Sequence, residues 1–219
     1  MQIIDLTHTF ENGMPAYPGE ESPRLEKIYT HDKDGFQVIR LTTLTHSGTH
    51  LDMPSHFYHD TATVDKENLS RFAGKGILID CRSYGRKSVI PLQHIAQYEN
   101  ELNSAAFAII WTGWDRYWGT PVYFANFPVL EKDALQFLAG LNLKGLGFDC
   151  ASVDPVDSSD FPNHQIILRK NMIMIENLTN LEKLNGHDFT FAAFPLKIKD
   201  GDGSPVRAAG IISSGMLSL

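Results

Sequence analysis

Four of the nine histidines of this 219-residue chain fall within fourteen residues, and no other feature constrains the local fold as strongly. They are His46, His50, His56 and His59, and Asp52 lies among them. A local concentration of imidazoles around a carboxylate is typical of transition-metal sites. Spacing alone leaves a second interpretation open, in which these histidines are solvated or hydrogen-bonded at the end of a strand and bind no metal.

The spacing inside this cluster predicts how the chain must turn. His50 and Asp52 are two residues apart, so on an extended backbone both side chains project to one face, roughly 6.6 Å apart at Cα. On a straight strand His46 would lie about 13 Å from His50, too far to share an ion. Gly48 permits a turn because it tolerates positive φ, and Pro54 argues against a helix. We therefore predict a strand end followed by a tight loop that carries His46, His50 and Asp52 around a metal.

Composition narrows the class of protein. With 42% hydrophobic and 21% charged residues, the chain is close to ordinary globular usage. Nothing in it resembles a linker, a repeat or a low-complexity tract, so we expect one domain over residues 1–219. The formal net charge of −7 argues against a nucleic-acid partner, since such binders carry clustered lysine and arginine.

The chain has the features of a soluble, cytoplasmic protein. Residues 1–8 lack the basic and apolar regions of a signal peptide. The longest apolar stretch, residues 105–111, is too short to cross a bilayer, so we expect no membrane partner. Cys81 and Cys150 show no framework spacing, and we expect two free, buried thiols in a reducing cytosol.

Hydrophobic periodicity predicts an α/β domain with a mixed sheet. Strands alternate with helices in the middle of the chain, and both ends are rich in strands. The predicted strands cover 36–46, 76–81, 107–111, 145–150, 172–175, 189–198 and 206–212, and the predicted helices cover 91–102 and 131–138.

A second group of polar residues lies far along the chain. Glu176 directly follows the apolar strand predicted for 172–175. A carboxylate that enters a core is costly unless it meets a cation or becomes protonated; the alternative is that Glu176 lies at a solvated strand end. His164 precedes it by twelve residues, in a loop that could fold back over that end.

The segment from His46 to His56 resembles the HxGTHxDxPxH pattern of the cyclase family, which includes bacterial kynurenine formamidases (arylformamidases) and isatin hydrolases. Other stretches are similar to the same family, so the resemblance runs from near the N-terminus to residue 208. These stretches are residues 15–19, 112–115, 149–155, 176–178 and 204–208.

The resemblance implies a role for each clustered residue. It implies a compact, mixed α/β domain of the swivelling β/α/β type, in homodimers or higher homo-oligomers. It implies His56 as the catalytic acid/base, and one or two divalent ions per subunit. The implied metal ligands are His46, His50, Asp52, His164 and Glu176. Zinc is our first choice of metal, and manganese is the alternative because the set contains no thiolate.

The implied activity is metal-dependent hydrolysis of an amide, of the formamide type, in a small and aromatic substrate. A divalent ion can lower the pKa of water from 15.7 to about 7, and the unperturbed pKa of an imidazole, about 6.5, lies near working pH. His59 would orient His56 or line the entrance, or it is a surface residue.

Aromatic residues bear on the choice of substrate. Tyr17 stands where formamidases of this family carry a substrate-contacting Trp, which puts N-formylkynurenine in doubt and leaves an aryl substrate open. The alternative for Tyr17 is a turn-packing ring between two prolines. We expect Trp114, Tyr117 and Trp118 to be core or interface residues.

Other readings of the function remain open at this point. One is lactam ring opening of the isatin-hydrolase kind, and another is a polyketide-type cyclase. A third is a non-catalytic protein that binds metal or a small ligand on the same fold.

Overall fold

The apolar segments of the sequence form one eight-stranded sheet. The computed structural model describes residues 1–213. The strands of the described residues, eight of which form the large sheet, are β1 (Gln2–Asp5), β2 (Arg24–Tyr29), β3 (Val38–Thr42), β4 (His50–Asp52), β5 (Ala73–Asp80), β6 (Val89–Ile90), β7 (Phe107–Trp111), β8 (Val129–Leu130), β9 (Gly145–Phe148), β10 (Ile173–Glu176), β11 (Phe189–Pro195) and β12 (Gly203–Ile212). Its α-helices are α1 (His31–Asp34), α2 (Leu92–Ala96), α3 (Glu99–Leu102), α4 (Lys132–Gly140) and α5 (Pro162–Leu168).

The large sheet closes on itself. Its strand order is β1-β12-β11-β5-β7-β9-β10-β4, and β4 also pairs with β12. The neighbours from β5 to β10 are parallel, and the other pairs are antiparallel. The predicted α/β class with a mixed sheet is confirmed, and the additional pairing gives the domain a barrel-like form.

Strand β7 shows how the core is divided. All five of its residues are buried. Because side chains alternate across a strand, Ala108 and Ile110 pack in the cluster that contains the buried faces of α2, α4 and α5. Phe107, Ile109 and Trp111 pack in the second cluster, which is built mainly from the other sheet strands. The continuous apolar run of this strand is therefore explained by burial on both faces.

The predicted strand at 36–46 is wrong over most of its length. Only residues 38–42 are extended, and they pair with β2 in a separate two-stranded sheet. All five residues of β3 are exposed. A β-branched run favours a strand, but it does not indicate whether the strand joins the main sheet.

The predicted helix at 91–102 is interrupted. It divides into α2 and α3 at Gln97 and Tyr98, where the Tyr98 amide donates to the Ile95 carbonyl. Ile95 and Leu102 are both buried, and the break lets both helices pack their apolar side against the core. Elsewhere the predicted elements differ at their ends: β10 includes Glu176, and β12 begins at Gly203 because its first residues pair with β4.

Two further expectations concern cysteines and membranes. Cys81 and Cys150 are free and buried, as predicted, and burial raises the pKa of the Cys81 thiol to about 12. Within residues 1–213, no helix has the length and apolar character needed to span a membrane.

Candidate metal centre and active site

The loop before β4 carries the first predicted ligands. Gly48 has φ +63°, as predicted, and a Cβ there would lie 2.8 Å from the Met14 methyl carbon. The predicted order of strand and loop is reversed: His46 lies in the loop, and His50 and Asp52 lie on β4 itself. This short strand is inserted between β10 and β12 and places His50 opposite Glu176.

The structure brings all five predicted ligands together at one end of the barrel. His50 Nε2 lies 3.3 Å from Asp52 Oδ1 and 3.6 Å from Glu176 Oε2. His164 Nε2 lies 3.5 Å from Glu176 Oε1 and 3.8 Å from Asp52 Oδ2. His46 Nδ1 completes the group, 2.7 Å from Asp52 Oδ1. Two carboxylates thus face three imidazoles in one small volume.

The loop backbone orients one of these imidazoles. His50 Nδ1 lies 2.8 Å from the Gly48 carbonyl oxygen, so its Nε2 is directed at the carboxylates. The same carbonyl accepts from the Asn177 side-chain amide, whose oxygen in turn accepts from the Tyr123 hydroxyl. Asn177 directly follows Glu176, so this network ties the Gly48 turn to the end of β10.

Asp154 orients the other imidazole, and the sequence analysis gave this residue no role. Its Oδ2 lies 2.6 Å from His164 Nδ1 and accepts from the His164 amide. Its other oxygen accepts from the Asn163 amide. A carboxylate that holds the far nitrogen of a ligating histidine fixes the ring and raises its basicity. The available signal was its position in the family-like stretch 149–155.

The charges of the cluster are unevenly balanced. Burial opposes protonation of His46, but Asp52 and Asp202 outweigh it and raise the His46 pKa to about 10. Burial also opposes ionisation of Asp52, yet His46 holds the Asp52 pKa well below its ordinary value. Burial and the neighbouring Asp52 charge raise the pKa of Glu176. The protein alone therefore supplies too little positive charge for both buried carboxylates to ionise.

The donor set fits a divalent ion. Two groups of donors have ligand atoms within 4.8 Å of one another: His46, Asp52 and His56, and His50, Asp52 and Glu176. Asp52 belongs to both groups. Imidazole and carboxylate donors without a thiolate suit zinc or manganese, and a cation would stabilise the carboxylates that burial disfavours.

His56 lies at the edge of this cluster. It ends a short 3₁₀ turn, Pro54–His56, and its ring centroid is 3.9 Å from that of His46. Asp202 Oδ2 lies 3.5 Å from His56 Nδ1 and 3.0 Å from His46 Nε2. Hydrogen bonds from His46 and His56 hold the pKa of Asp202 well below its ordinary value. The sequence gives no signal for Asp202 as a site residue, because an aspartate between two strands resembles an ordinary turn residue.

A cavity of about 360 Å³ opens above the cluster. His59 is exposed and does not line it, whereas His56 does. Tyr17 lines it too: the Tyr17 hydroxyl donates to the Val156 carbonyl, and the ring meets Phe124 edge-on. The aromatic walls consist of Tyr17, Phe57, Trp118, Phe124 and Phe161.

The expectation for Trp118 is wrong, since this side chain is part of the cavity wall. Trp114 is a core residue as expected, and its indole donates to the Tyr123 carbonyl. Trp118 stacks on His8, with ring centroids 4.0 Å apart and planes 6° apart. His8 Nε2 is buried without a hydrogen-bond partner among the described residues, and burial lowers the His8 pKa to about 4. A single histidine distant from the cluster gave no signal for this contact.

Comparison with known proteins agrees with this arrangement. The Cyclase family matches residues 4–155. An uncharacterized protein of Methanocaldococcus jannaschii is 33% identical over 213 residues, 97% of this chain and 100% of that protein. A kynurenine formamidase of Erythrobacter litoralis is 29% identical over 209 residues, 94% of this chain and 92% of that protein.

Solved structures give the same result. An isatin hydrolase bound to the product analogue thioisatinate has a TM-score of 0.86 at 26% identity, over 97% of this chain and 93% of that one. The family resemblance of the His46–His56 segment is confirmed. The chain belongs to the Cyclase family.

Proposed function

We propose that this protein is a metal-dependent hydrolase that cleaves an amide bond of a small aromatic substrate. One observation carries the proposal: three imidazoles and two carboxylates from distant parts of the chain meet on the floor of an aromatic cavity. Such a buried polar group is costly for folding alone. The kynurenine formamidase and isatin hydrolase relatives both act on amides and support this reaction class.

His56 is our candidate acid/base. A divalent ion, when bound, acidifies water and polarises a carbonyl group. The His56 side chain is 31% exposed and faces the cavity, so it can exchange a proton with the leaving group. Asp202 Oδ2, 3.5 Å from His56 Nδ1, can orient this ring at the edge of the proposed metal ligands.

The finer assignment is an arylformamidase-like enzyme. The aromatic walls suit a planar ring, and Tyr17 retains an aromatic ring in the position expected for a substrate contact. Lactam ring opening is the second candidate, supported by the similarity to an isatin hydrolase. Both reactions begin with attack on an amide carbonyl, so the cavity walls rather than the ligands must distinguish them.

Metal content and hydrolysis test this function together. The protein would be purified without added metal, and its zinc and manganese measured by elemental analysis. Hydrolysis of N-formylkynurenine and of isatin would be followed with and without a chelator. We expect near-stoichiometric metal and chelator-sensitive hydrolysis of at least one of the two. A protein that neither contains metal nor takes it up when supplied would contradict the proposal.

We also propose that a second copy of this chain docks on the hairpin formed by β2, α1 and β3. Seven of the thirteen exposed large hydrophobic side chains within residues 1–213 lie between residues 28 and 44. An isolated two-stranded sheet is marginally stable in water, and a concentrated apolar patch marks an interaction surface.

Charge favours a second copy as the occupant. Residues 24–42 contain four basic and three acidic residues, a formal charge of +1, whereas the remainder of the chain carries −8. The hairpin of one copy is therefore repelled less by the acidic body of another copy than the rest of its surface is.

A further inference from the structure

Apart from the histidines, the charged side chains of the described cavity lining are acidic. Its acidic lining residues are Glu20, Asp52 and Glu176. Among the described residues that line it, none is a lysine or an arginine. Asp52 and Glu176 lie on the floor among the imidazoles, where a bound cation would neutralise them. Glu20 is exposed at the rim, and it is the one acid that remains to act on the substrate.

The chain holds Glu20 close to the cavity wall. The Glu20 amide donates to the Tyr17 carbonyl at 3.0 Å, which closes a turn between two residues that both line the cavity. Burial raises the pKa of the Tyr17 phenol, and the charges of Glu176, Asp154, Glu20 and Asp157 raise it further. The negative field of these acids is therefore felt at a side chain that would contact the substrate.

This field limits which substrates fit. Arginine and lysine form the strongest hydrogen bonds to a ligand carboxylate, and the described lining contains neither. A carboxylate on the part of the substrate distant from the reacting amide would be desolvated against aromatic rings without a basic partner and near Glu20. A neutral group would meet no such cost, and a cation would be attracted to Glu20 and to the aromatic faces.

We infer that the site takes aryl amides whose remote ring substituent is neutral or cationic, and that it discriminates against a free carboxylate at that position. This inference rests on the proposed amide hydrolase activity and names its substrate class. It favours a neutral ring amide, or an open formanilide without an acid group, over an amino-acid substrate.

Three formanilides test the inference with the metal-loaded protein. They are 4-formamidophenylacetate, its neutral isostere 4-formamidophenylacetamide, and the cationic 4-(aminomethyl)formanilide. A methylene group in each insulates the reacting amide from the substituent. We expect kcat/KM for the acetate to be about tenfold below that for the acetamide, the effect of a like charge a few ångströms away in partly aqueous surroundings. The cation should be turned over at least as well as the acetamide.

Glu20→Gln separates charge from shape. We expect this variant to raise kcat/KM for the acetate about threefold and to lower kcat/KM for the cationic substrate. Raising the salt to 1 M should reduce the difference in kcat/KM between wild type and variant. The matched control is Glu101→Gln, which removes an exposed acid outside the cavity lining and should leave kcat/KM for both substrates unchanged.

Binding of the two anilines, 4-aminophenylacetate and 4-aminophenylacetamide, gives a readout independent of catalysis. By calorimetry, we expect the amide to bind about tenfold tighter. Equal hydrolysis of acetate and acetamide overturns the inference and leaves the amide hydrolase standing. If no formanilide is hydrolysed, hydrolysis of N-formylkynurenine and isatin decides the proposed function, and the aniline pair decides the inference: tighter binding of the amide supports it, and equal binding or none overturns it.

Discussion

The hairpin of residues 24–42 and the ligand segment of residues 46–56 are separated by three residues, yet they depart from ordinary burial in opposite directions. In the ligand segment, His50 is 4% exposed and Asp52 is 1% exposed. In the hairpin, Ile39 is 44% exposed and Leu41 is 50% exposed. Polar side chains are thus buried on one side of this junction, and apolar side chains face solvent on the other.

Neither arrangement is explained by folding of the isolated chain. Buried carboxylates require a cation or a complete set of hydrogen bonds, and a solvent-facing apolar hairpin gains little from its own two strands. Positions where local rules are broken are where function is expected. The comparison supports two different proposed partners: an ion for the ligand segment, and a second copy of the chain for the hairpin.

Asp52→Asn has the largest expected effect and tests the proposed ion site of the ligand segment. This variant keeps the side-chain size and removes the charge. Because Asp52 belongs to both donor groups, we expect metal and activity to be lost together. The loss should exceed about 100-fold, since even residues that only orient ligands cost about 10–100-fold. Elemental analysis and kcat measure it, with exposed Asp188→Asn as the control. An Asp52 variant that keeps both would refute the ligand assignment.

His56→Ala tests whether the edge of the cluster differs in role from its floor. We expect turnover to fall about 10²–10⁴-fold, the range for a lost acid/base, while metal content stays at the wild-type level. His59→Ala, three residues on and outside the cavity lining, should retain activity. Loss of metal in the His56 variant would instead make His56 a ligand, in line with its place in a donor group with His46 and Asp52.

Leu41→Asp tests the proposed docking of a second copy on the hairpin. A charge placed in a buried interface opposes association, so we expect at least about a 30-fold weaker dimer, the effect of a 2 kcal/mol interface residue. Sedimentation velocity over a range of concentrations measures it. Leu69→Asp is the control, because Leu69 is 65% exposed and lies outside the hairpin. A wild-type protein that is monomeric at every concentration would contradict the proposed docking of a second copy on the hairpin.

The smallest effect concerns His8, a buried imidazole without the carboxylates that surround His46. Its folded-state pKa is about 4 and its unperturbed pKa is 6.5. Between these values the unfolded chain binds a proton that the folded chain does not, so His8 makes stability fall as the pH drops from 6.5 to 4. His8→Phe keeps the aromatic stack on Trp118 and should flatten that fall by up to one proton.

Chemical denaturation across this pH window measures the slope. His187→Phe is the matched control because His187 is exposed and lies outside both the hairpin and the cavity lining. An unchanged slope in the His8 variant would contradict the burial of an uncharged ring.

The sequence predicts those features that depend on local geometry. Gly48 adopts positive φ, and His50 and Asp52 share one face of a strand, because both follow from backbone conformation over a few residues. The two strongest apolar runs, at β5 and β7, are strands as predicted.

Features that depend on closure of the barrel are missed. Asp202 contacts His46 because segments 156 residues apart meet at one end of the sheet, and Asp154 contacts His164 through the fold of the ten residues that separate them. Local spacing carries no information about such contacts. The same holds for His8 on Trp118, and for β3, whose strand-like residues pair outside the main sheet.

The insertion of β4 between β10 and β12 has a consequence for the synthesis of the protein. His46, His50 and Asp52 leave the ribosome early, whereas the strands that hold β4 in place follow about 120 to 150 residues later. At about 5–20 residues per second, the chain spends roughly 6–30 s with three of the five candidate ligands and no barrel to hold them. We therefore expect the completed fold at the end of translation, and not the exposed histidine cluster of the nascent chain, to determine which metal binds.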